Sequence, residues 1–193
     1  MPPHPDAQLE EKILKAAQRL WKLEGPASLT LRAVAREAGT TTPTVYKRFQ
    51  NKQALHKALA SRVRSQLNEQ LFASKSLEEV CRRYLAFVHQ NPHEYQLLLY
   101  AWSDVFHPEL PRPGRAWLMQ QFANRFGGEA EDYALVAYAL ILLSHGAATV
   151  LSIPGDEIAR KELEENFLKI ADRLIAHNDV LADPASAVTS ERL

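Results

Sequence analysis

The sequence has only one cysteine, Cys81, among its 193 residues. A single thiol excludes an internal disulfide framework and a cysteine-rich zinc site, and it is typical of a protein in a reducing compartment. The N-terminal residues MPPHPDAQLEEKIL also lack the continuous apolar segment of a secretory signal peptide. We therefore predict a cytoplasmic protein, and we interpret Cys81 as a small apolar core residue.

The alternating patterns of β-strands are also lacking, as are internal repeats. Apolar residues instead recur three and four positions apart, as in Ile13, Ala17, Leu20 and Trp21, and glycine, proline or asparagine interrupts such segments. This spacing predicts an all-α protein of nine helices. The last residues, 178–193, are expected to form a loose polar tail.

One long apolar segment is present. Residues 133–153 contain no Asp, Glu, Lys or Arg over 21 positions, which is long enough to cross a bilayer. However, the segment is rich in alanine, includes Ser144, His145 and Thr149, and lies between acidic residues. A helix buried on most sides in a bundle or a subunit interface has the same composition, and we favour that interpretation over a membrane span.

The net charge is zero for the whole chain but not for its two parts. Residues 1–65 contain 12 Lys and Arg against 5 Asp and Glu, a net charge of +7. Residues 66–193 contain 11 against 18, a net charge of −7. This asymmetry indicates that only the N-terminal part meets a polyanion.

The segment REAGTTTPTVYKRFQNK, residues 36–52, predicts two short helices joined by a four-residue turn. Such a helix-turn-helix needs a small residue where the helices pack, a positive φ in the turn and an apolar residue in the seam. Ala35, Gly39 and Val45 meet these needs at the required spacing of four and then six positions.

The threonines of this segment suit a recognition helix. Thr41 can cap the second helix, while Thr42 and Pro43 occupy its first turn, which is the part that enters the major groove of DNA. Short hydroxyl side chains suit base edges. The residues expected to reach phosphates are basic or aromatic, namely Tyr46, Lys47, Arg48 and Lys52.

The run from Ile13 to Leu59 resembles the DNA-binding domain of the TetR family of bacterial transcriptional repressors. The resemblance rests on ILKAAQRLWKLEG, on Thr30 before LRAVAREAG, and on TVYKRF and NKQAL. It implies that Thr30, Tyr46 and Lys52 hold phosphates, while Arg32 and the recognition helix face the operator. The full set of implied DNA contacts is Thr30, Arg32, Thr41, Thr42, Pro43, Thr44, Tyr46, Lys47, Arg48 and Lys52.

Two residues depart from the family pattern. Thr40 stands where the family usually has an apolar residue, so we expect a slightly looser turn. Arg48 stands where the family often has an aromatic residue, which adds charge near DNA. In the C-terminal part, NPHEYQLLLYAW and His145-Gly146 are similar to a subgroup whose effector domain carries a Trp-His-Gly signature, although Ser144 replaces its tryptophan.

The resemblance also implies a division of the chain. Residues 1–52 form the helix-turn-helix domain, helix 4 (52–71) links the domains, and residues 53–177 bind an effector and dimerise. Aromatic residues are candidates for an effector chamber between helices; we favour a core role for any single one but expect some of the set to line a cavity. The predicted ligand-binding residues are Tyr84, Phe87, Tyr100, Trp102, Phe106, Trp117, Phe122 and His145.

The apolar patterns of two predicted helices near the C-terminus indicate a homodimer. The first is apolar around more than one stripe and carries small residues, and the second has a matching apolar stripe. The predicted interface residues are Ala139, Leu143, Gly146, Val150, Phe167, Ile170 and Leu174.

The sequence therefore favours a repressor that binds a double-stranded DNA operator as a homodimer and is released by a small apolar or aromatic effector. It contains no nucleophile–base pair, phosphate-binding glycine loop or metal cluster, so we predict no cofactor, no metal and no enzymatic activity. The alternative is an all-helical enzyme or scaffold in which the helix-turn-helix is incidental.

Overall fold

A computed structural model of the chain describes residues 5–100, 112–153 and 155–181. The all-α prediction is confirmed, since the described part of the chain forms nine α-helices and no strand. The helices are α1 Pro5–Glu24, α2 Leu31–Glu37, α3 Thr42–Arg48, α4 Lys52–Phe72, α5 Leu77–Gln90, α6 Pro92–Tyr100, α7 Pro113–Phe126, α8 Ala134–Leu151 and α9 Glu157–Ala176.

The described helices form two compact units. The first contains residues 5–66 and 91–100, and the second contains residues 67–90, 112–153 and 155–181. The predicted domain boundary at residue 52 coincides with the start of α4 and stays a prediction. The compact unit extends further along α4 and includes α6, because residues of these helices complete the core around α1.

The core of the first unit forms around α1. Ile13, Ala17 and Trp21 follow one face of this helix and are fully buried. The indole Nε1–H of Trp21 donates a hydrogen bond to the backbone carbonyl of His93 in α6, and its ring packs edge-on against His56 of α4 with centroids 5.3 Å apart. These contacts join the N-terminal helix to α4 and α6 within the unit.

A polar network centred on Gln18 ties the same three helices together. Its amide nitrogen donates to Gln66 of α4 at 2.7 Å and to Glu94 of α6 at 2.6 Å, and its amide oxygen accepts from Arg62 of α4 at 2.8 Å. Arg62 also pairs with Glu11 of α1, which lowers the pKa of that carboxyl group. Glu94 is buried and also forms an ion pair of 3.9 Å with Lys22, so breaking this network removes its shorter hydrogen bond from Gln18.

The second unit is a bundle in which α5, α7, α8 and α9 share a core. Leu85, Phe122, Leu140 and Ile175 contribute one fully buried side chain from each of these helices. Cys81 is also buried there, and burial raises the pKa of its thiol to about 12, which keeps the group neutral and unreactive.

Ser76 caps the start of α5, since its Oγ accepts from Glu79 N at 3.2 Å, while the Glu79 carboxylate accepts from Lys75 N. The predicted tail begins with a helical turn, Asn178–Leu181. Residues 182–193 lie outside the described part of the chain.

Among the described residues, one helical segment, Ala130–Leu151, is long and apolar enough to cross a membrane. Helices of soluble cores satisfy the same criteria of length and composition. Only 39% of the residues in its most apolar 18-residue stretch are buried, so much of its apolar surface has no partner in a single copy.

We predict that Gly39→Ala destabilises the first unit by about 1–2 kcal/mol, because Gly39 adopts a φ of +58°. A Cβ atom at this position would meet only Lys12 Nζ at 3.7 Å, so the cost comes from the backbone and not from a clash. Gly39→Asn should cost less, since asparagine enters this region more readily than alanine. Urea unfolding followed by circular dichroism measures both; equal stability of glycine and alanine proteins would contradict the prediction.

Candidate nucleic-acid interface

The α2 helix begins at a hydroxyl cap. Thr30 has extended backbone angles, and its Oγ1 accepts a hydrogen bond from Ala33 N at 3.1 Å. This is the geometry of an N-cap, which satisfies an amide that the helix itself leaves unpaired. Thr30 is exposed, so the cap lies at the surface of the first unit.

The turn between α2 and α3 closes on Gly39. Its amide donates to Arg36 O at 3.1 Å, and the amide of Thr40 donates to Ala35 O at 2.9 Å. These bonds pair carbonyl groups at the C-terminal end of α2 in the manner of a Schellman motif. Thr40 therefore takes part in a closed turn.

The seam between α2 and α3 is apolar and closely packed. Ala35 and Val45 are buried, as are Val34 of α2 and Phe49 at the end of α3. The small side chain of Ala35 permits close approach of the helices, as the motif requires. This packing fixes the direction in which the opposite face of α3 points.

The N-terminal end of α3 presents its threonines to solvent. Thr41 Oγ1 accepts from Thr44 N at 3.3 Å, and the two threonine hydroxyls share a hydrogen bond of 2.8 Å. Thr42 and Pro43 occupy the first turn as predicted. Because one of the two hydroxyls must donate to the other, the pair retains one free hydroxyl hydrogen that can bind a base or a phosphate.

Exposed cationic and aromatic side chains lie on α2, on α3 and at the start of α4. Arg32, Lys47 and Lys52 are exposed, and Tyr46 exposes 52% of its surface. Lys52 is the first residue of α4. Asn51 caps the N-terminus of this helix, because its side-chain oxygen accepts a hydrogen bond from Ala54 N at 2.8 Å. A capped helix N-terminus with a neighbouring lysine is a favourable site for a phosphate group.

Arg48 differs from the other predicted phosphate contacts. Its guanidinium Nε lies 3.8 Å from a carboxylate oxygen of Glu10, and its side chain is only 26% exposed. The pair joins the C-terminal end of α3 to α1. Arg48 thus has a partner within the protein, which reduces the positive charge that it can offer to DNA.

Lys12 is a candidate DNA contact that sequence reasoning missed. Its ammonium group lies at the turn beside Gly39, and the residue is exposed. It belongs to α1, far from the motif in sequence. No local pattern places it beside the turn, because that proximity depends on the packing of α1 against α2.

Three of the five predicted ligand-binding residues whose side chains the structure describes are core residues. Tyr84, Phe87 and Phe122 are buried in the second unit, and the Tyr84 hydroxyl bonds to His145 Nδ1 at 2.7 Å. His145 is therefore a paired residue, as the core interpretation expects. Trp117 is half-buried against Phe72, with ring centroids 5.0 Å apart.

Other predicted ligand-binding residues cannot be placed in a chamber. Trp102 and Phe106 lie outside the described residues, and for Tyr100 only the helix is described. Among the described residues, no group of three or more His, Cys, Asp or Glu side chains is arranged to hold a metal ion.

Comparison with known proteins agrees with this geometry. The family model for bacterial regulatory proteins of the tetR family matches residues 13–59, which span the helix-turn-helix and its supporting helices. No curated protein sequence matches the chain.

Solved structures match over most of the chain. A TetR-family transcriptional regulator from Haemophilus influenzae is 25% identical, with a TM-score of 0.55 over 86% of this chain and 98% of that one. One from Streptomyces coelicolor is 19% identical, with a TM-score of 0.66 over 99% and 89%. The multidrug-binding protein EbrR, solved with proflavin, is 20% identical, with a TM-score of 0.57 over 86% and 99%.

Residues 13–59 therefore match the tetR family of bacterial regulatory proteins, and the chain has the fold of TetR-family transcriptional regulators. The more specific assignment to a Trp-His-Gly subgroup stays a prediction.

We predict that Lys52→Ala weakens binding to all DNA sequences and lowers the slope of log K against log salt by about 1, because one phosphate contact is lost. Tyr46→Phe should also weaken binding to all sequences but leave the salt slope unchanged, since it removes only a neutral hydroxyl. Fluorescence anisotropy at several salt concentrations measures both quantities. Lys161→Ala, an exposed α9 change, is the control; an unchanged slope for Lys52→Ala would exclude that phosphate contact.

The variants Thr44→Ala and Lys47→Ala should instead change sequence preference, by about 1–3 kcal/mol for a good base contact. The measurement is the ratio of affinities for the preferred site and for random DNA. If a variant lost the same binding free energy on both DNAs, its side chain would not be a base contact.

Proposed function

We propose that the protein is a repressor that binds a palindromic double-stranded DNA operator as a homodimer and is released by a small-molecule effector. The observations that carry the DNA-binding part are the first turn of α3, held by the Thr41 cap, and the exposed side chains of Arg32, Tyr46, Lys47 and Lys52 on α2, α3 and α4. A recognition helix needs this combination of a rigid position and free polar side chains.

An apolar face on α8 supports the homodimer. Its exposed apolar residues recur at helical spacing along α8 and just beyond its end, at Leu135, Tyr138, Leu142, Val150 and Ile153. Gly146 lies on the same face, and a Cβ atom there would meet nothing within 4 Å. A contiguous apolar surface of this kind marks an interaction site, and the open space at Gly146 allows a second helix to approach closely.

The predicted interface residues divide into three groups by exposure. Val150, Gly146 and Ile170 are exposed, while Ala139, Leu143 and Leu174 are half-buried beside them. Phe167 is only 2% exposed and packs inside the second unit, so the proposed interface excludes it. Ile158 on α9 is exposed and joins the proposed interface instead.

A ligand response is supported by the fold shared with EbrR, which was solved with proflavin. The polar network around Gln18 offers a route for coupling. An effector that displaced α6 or α4 would strain hydrogen bonds that hold α1, against which α2 packs. The ligand can change operator affinity only if it binds the DNA-binding state and the released state with different affinities. The size of the change is set by the ratio of these two ligand affinities.

An operator selected from random DNA by repeated binding and amplification tests the function. A band-shift with DNA from upstream of the protein's own gene should then reveal the same site, since many repressors control their own synthesis or that of a neighbour. Binding that never exceeds the affinity for random DNA would favour the alternative, an all-helical enzyme or scaffold.

We predict that Leu142→Glu and Gly146→Glu each convert the protein to a monomer and abolish tight operator binding. A buried unpaired carboxylate at the interface costs several kcal/mol, and one half-site alone binds weakly. Sedimentation velocity and anisotropy measure the two effects. Gln120→Glu, an exposed change on α7, should alter neither; dimers that persist in both interface variants would refute this interface.

We also predict that Gln18→Met reduces effector coupling. For a ligand found by its effect on melting temperature, the ratio of operator affinities with and without ligand should move towards one. By reciprocity, operator DNA should then change ligand affinity by the same smaller factor. Gln96→Met, an exposed change on α6, should leave the ratio unchanged; an identical ratio in wild type and Gln18→Met would exclude the network from coupling.

A further inference from the structure

The second unit contains a groove at the junction of the α4–α5 connection and α7. Its volume is about 360 Å³, and it is open on one side. Its walls are residues 74–78 and the side chains of Trp117, Gln121, Asn124 and Arg125. Of the predicted ligand-binding residues that the structure describes, only Trp117 lines it, so the groove is distinct from the Tyr84–His145 cluster.

Trp117 gives the groove a flat apolar wall. Its indole is half-buried and held against Phe72, and Leu77 adds a second apolar surface. A wall of this kind stacks well with a planar aromatic ring, and it loses little rotational freedom because Phe72 already restrains it.

The polar residues of the groove select for negative charge. Arg125 and Glu78 form an ion pair of 2.7 Å, and Glu79 is paired with Arg83, so these charges largely cancel. Lys75 belongs to no ion pair in the described part of the chain, although the field of Glu79 reaches it. The groove itself thus carries one excess positive charge.

Hydrogen-bonding groups complete the site. The side-chain oxygen of Asn124 already accepts from Gln120, which leaves its amide N–H groups directed elsewhere. Ser74 Oγ is buried and makes no hydrogen bond within the described structure, and rotation about its Cα–Cβ bond can bring the hydroxyl to a bound acceptor. With Lys75, the groove therefore offers an ammonium group, a hydroxyl and an amide N–H as donors to a bound acceptor.

We propose that this groove binds a planar aromatic carboxylate, with its ring on Trp117 and its carboxylate near Lys75, Ser74 and the Asn124 amide. The volume is sufficient for a two-ring molecule. This inference goes beyond the proposed function, because binding at the groove is tested without reference to DNA.

The test compares 2-naphthoate with the cationic 2-naphthylmethylammonium ion on the full chain. Calorimetry gives each affinity, and the protein carries 5-fluorotryptophan so that fluorine NMR reports each of the three tryptophans. Trp117→Phe assigns its signal. We expect saturable naphthoate binding that shifts the Trp117 signal, and binding of the cation that is weaker by roughly tenfold.

Lys75→Glu should weaken naphthoate binding by roughly tenfold or more, since it reverses the unpaired charge. Lys75→Arg should retain binding, and Lys161→Glu on α9 is the matched control for a charge reversal at the surface. The proposal would be overturned if naphthoate did not bind, or if both probes bound with equal affinity. It would also be overturned if naphthoate shifted the signal of another tryptophan and its affinity were unchanged by Lys75→Glu.

Discussion

The close packing of α2 against α3 is the constraint on which the rest of the DNA-binding end depends. The buried side chains of Ala35 and Val45 set the distance between the helices, and Gly39 provides the positive φ that lets the chain reverse between them. With this seam fixed, the Thr41 cap and the first turn of α3 can point only outwards. A larger residue at position 35 would separate the helices and misdirect every side chain that faces DNA.

The positive charge of the N-terminal part attracts DNA, but ion pairs within the protein reduce the charge that is available to it. The net charge of +7 over residues 1–65 brings the protein towards a polyanion over distances comparable to the Debye length. Within that field, Arg48 is paired with Glu10 and Arg62 with Glu11, so these cations stabilise the first unit. Arg32, Lys47 and Lys52 are exposed, and they are better placed than Arg48 to bind phosphates.

Local features could be predicted from sequence, whereas features that join distant residues could not. The caps at Thr30 and Thr41 and the turn at Gly39 depend on a few neighbouring residues. In contrast, the Tyr84–His145 bond spans 61 positions and the Gln18–Glu94 bond spans 76. Phe167 shows the same limit, because apolar periodicity identifies an apolar residue on α9 but not whether its partner is the same chain or a second copy.

Hydroxyl-radical footprinting on the selected operator tests two-fold recognition by α3 most directly. A dimer that inserts two recognition helices should protect two symmetric segments whose centres lie about 34–36 Å apart, one turn of DNA, or a multiple of that distance. The bound complex should contain an even number of chains. A single asymmetric protected segment, bound tightly by one chain, would contradict this mode of operator recognition.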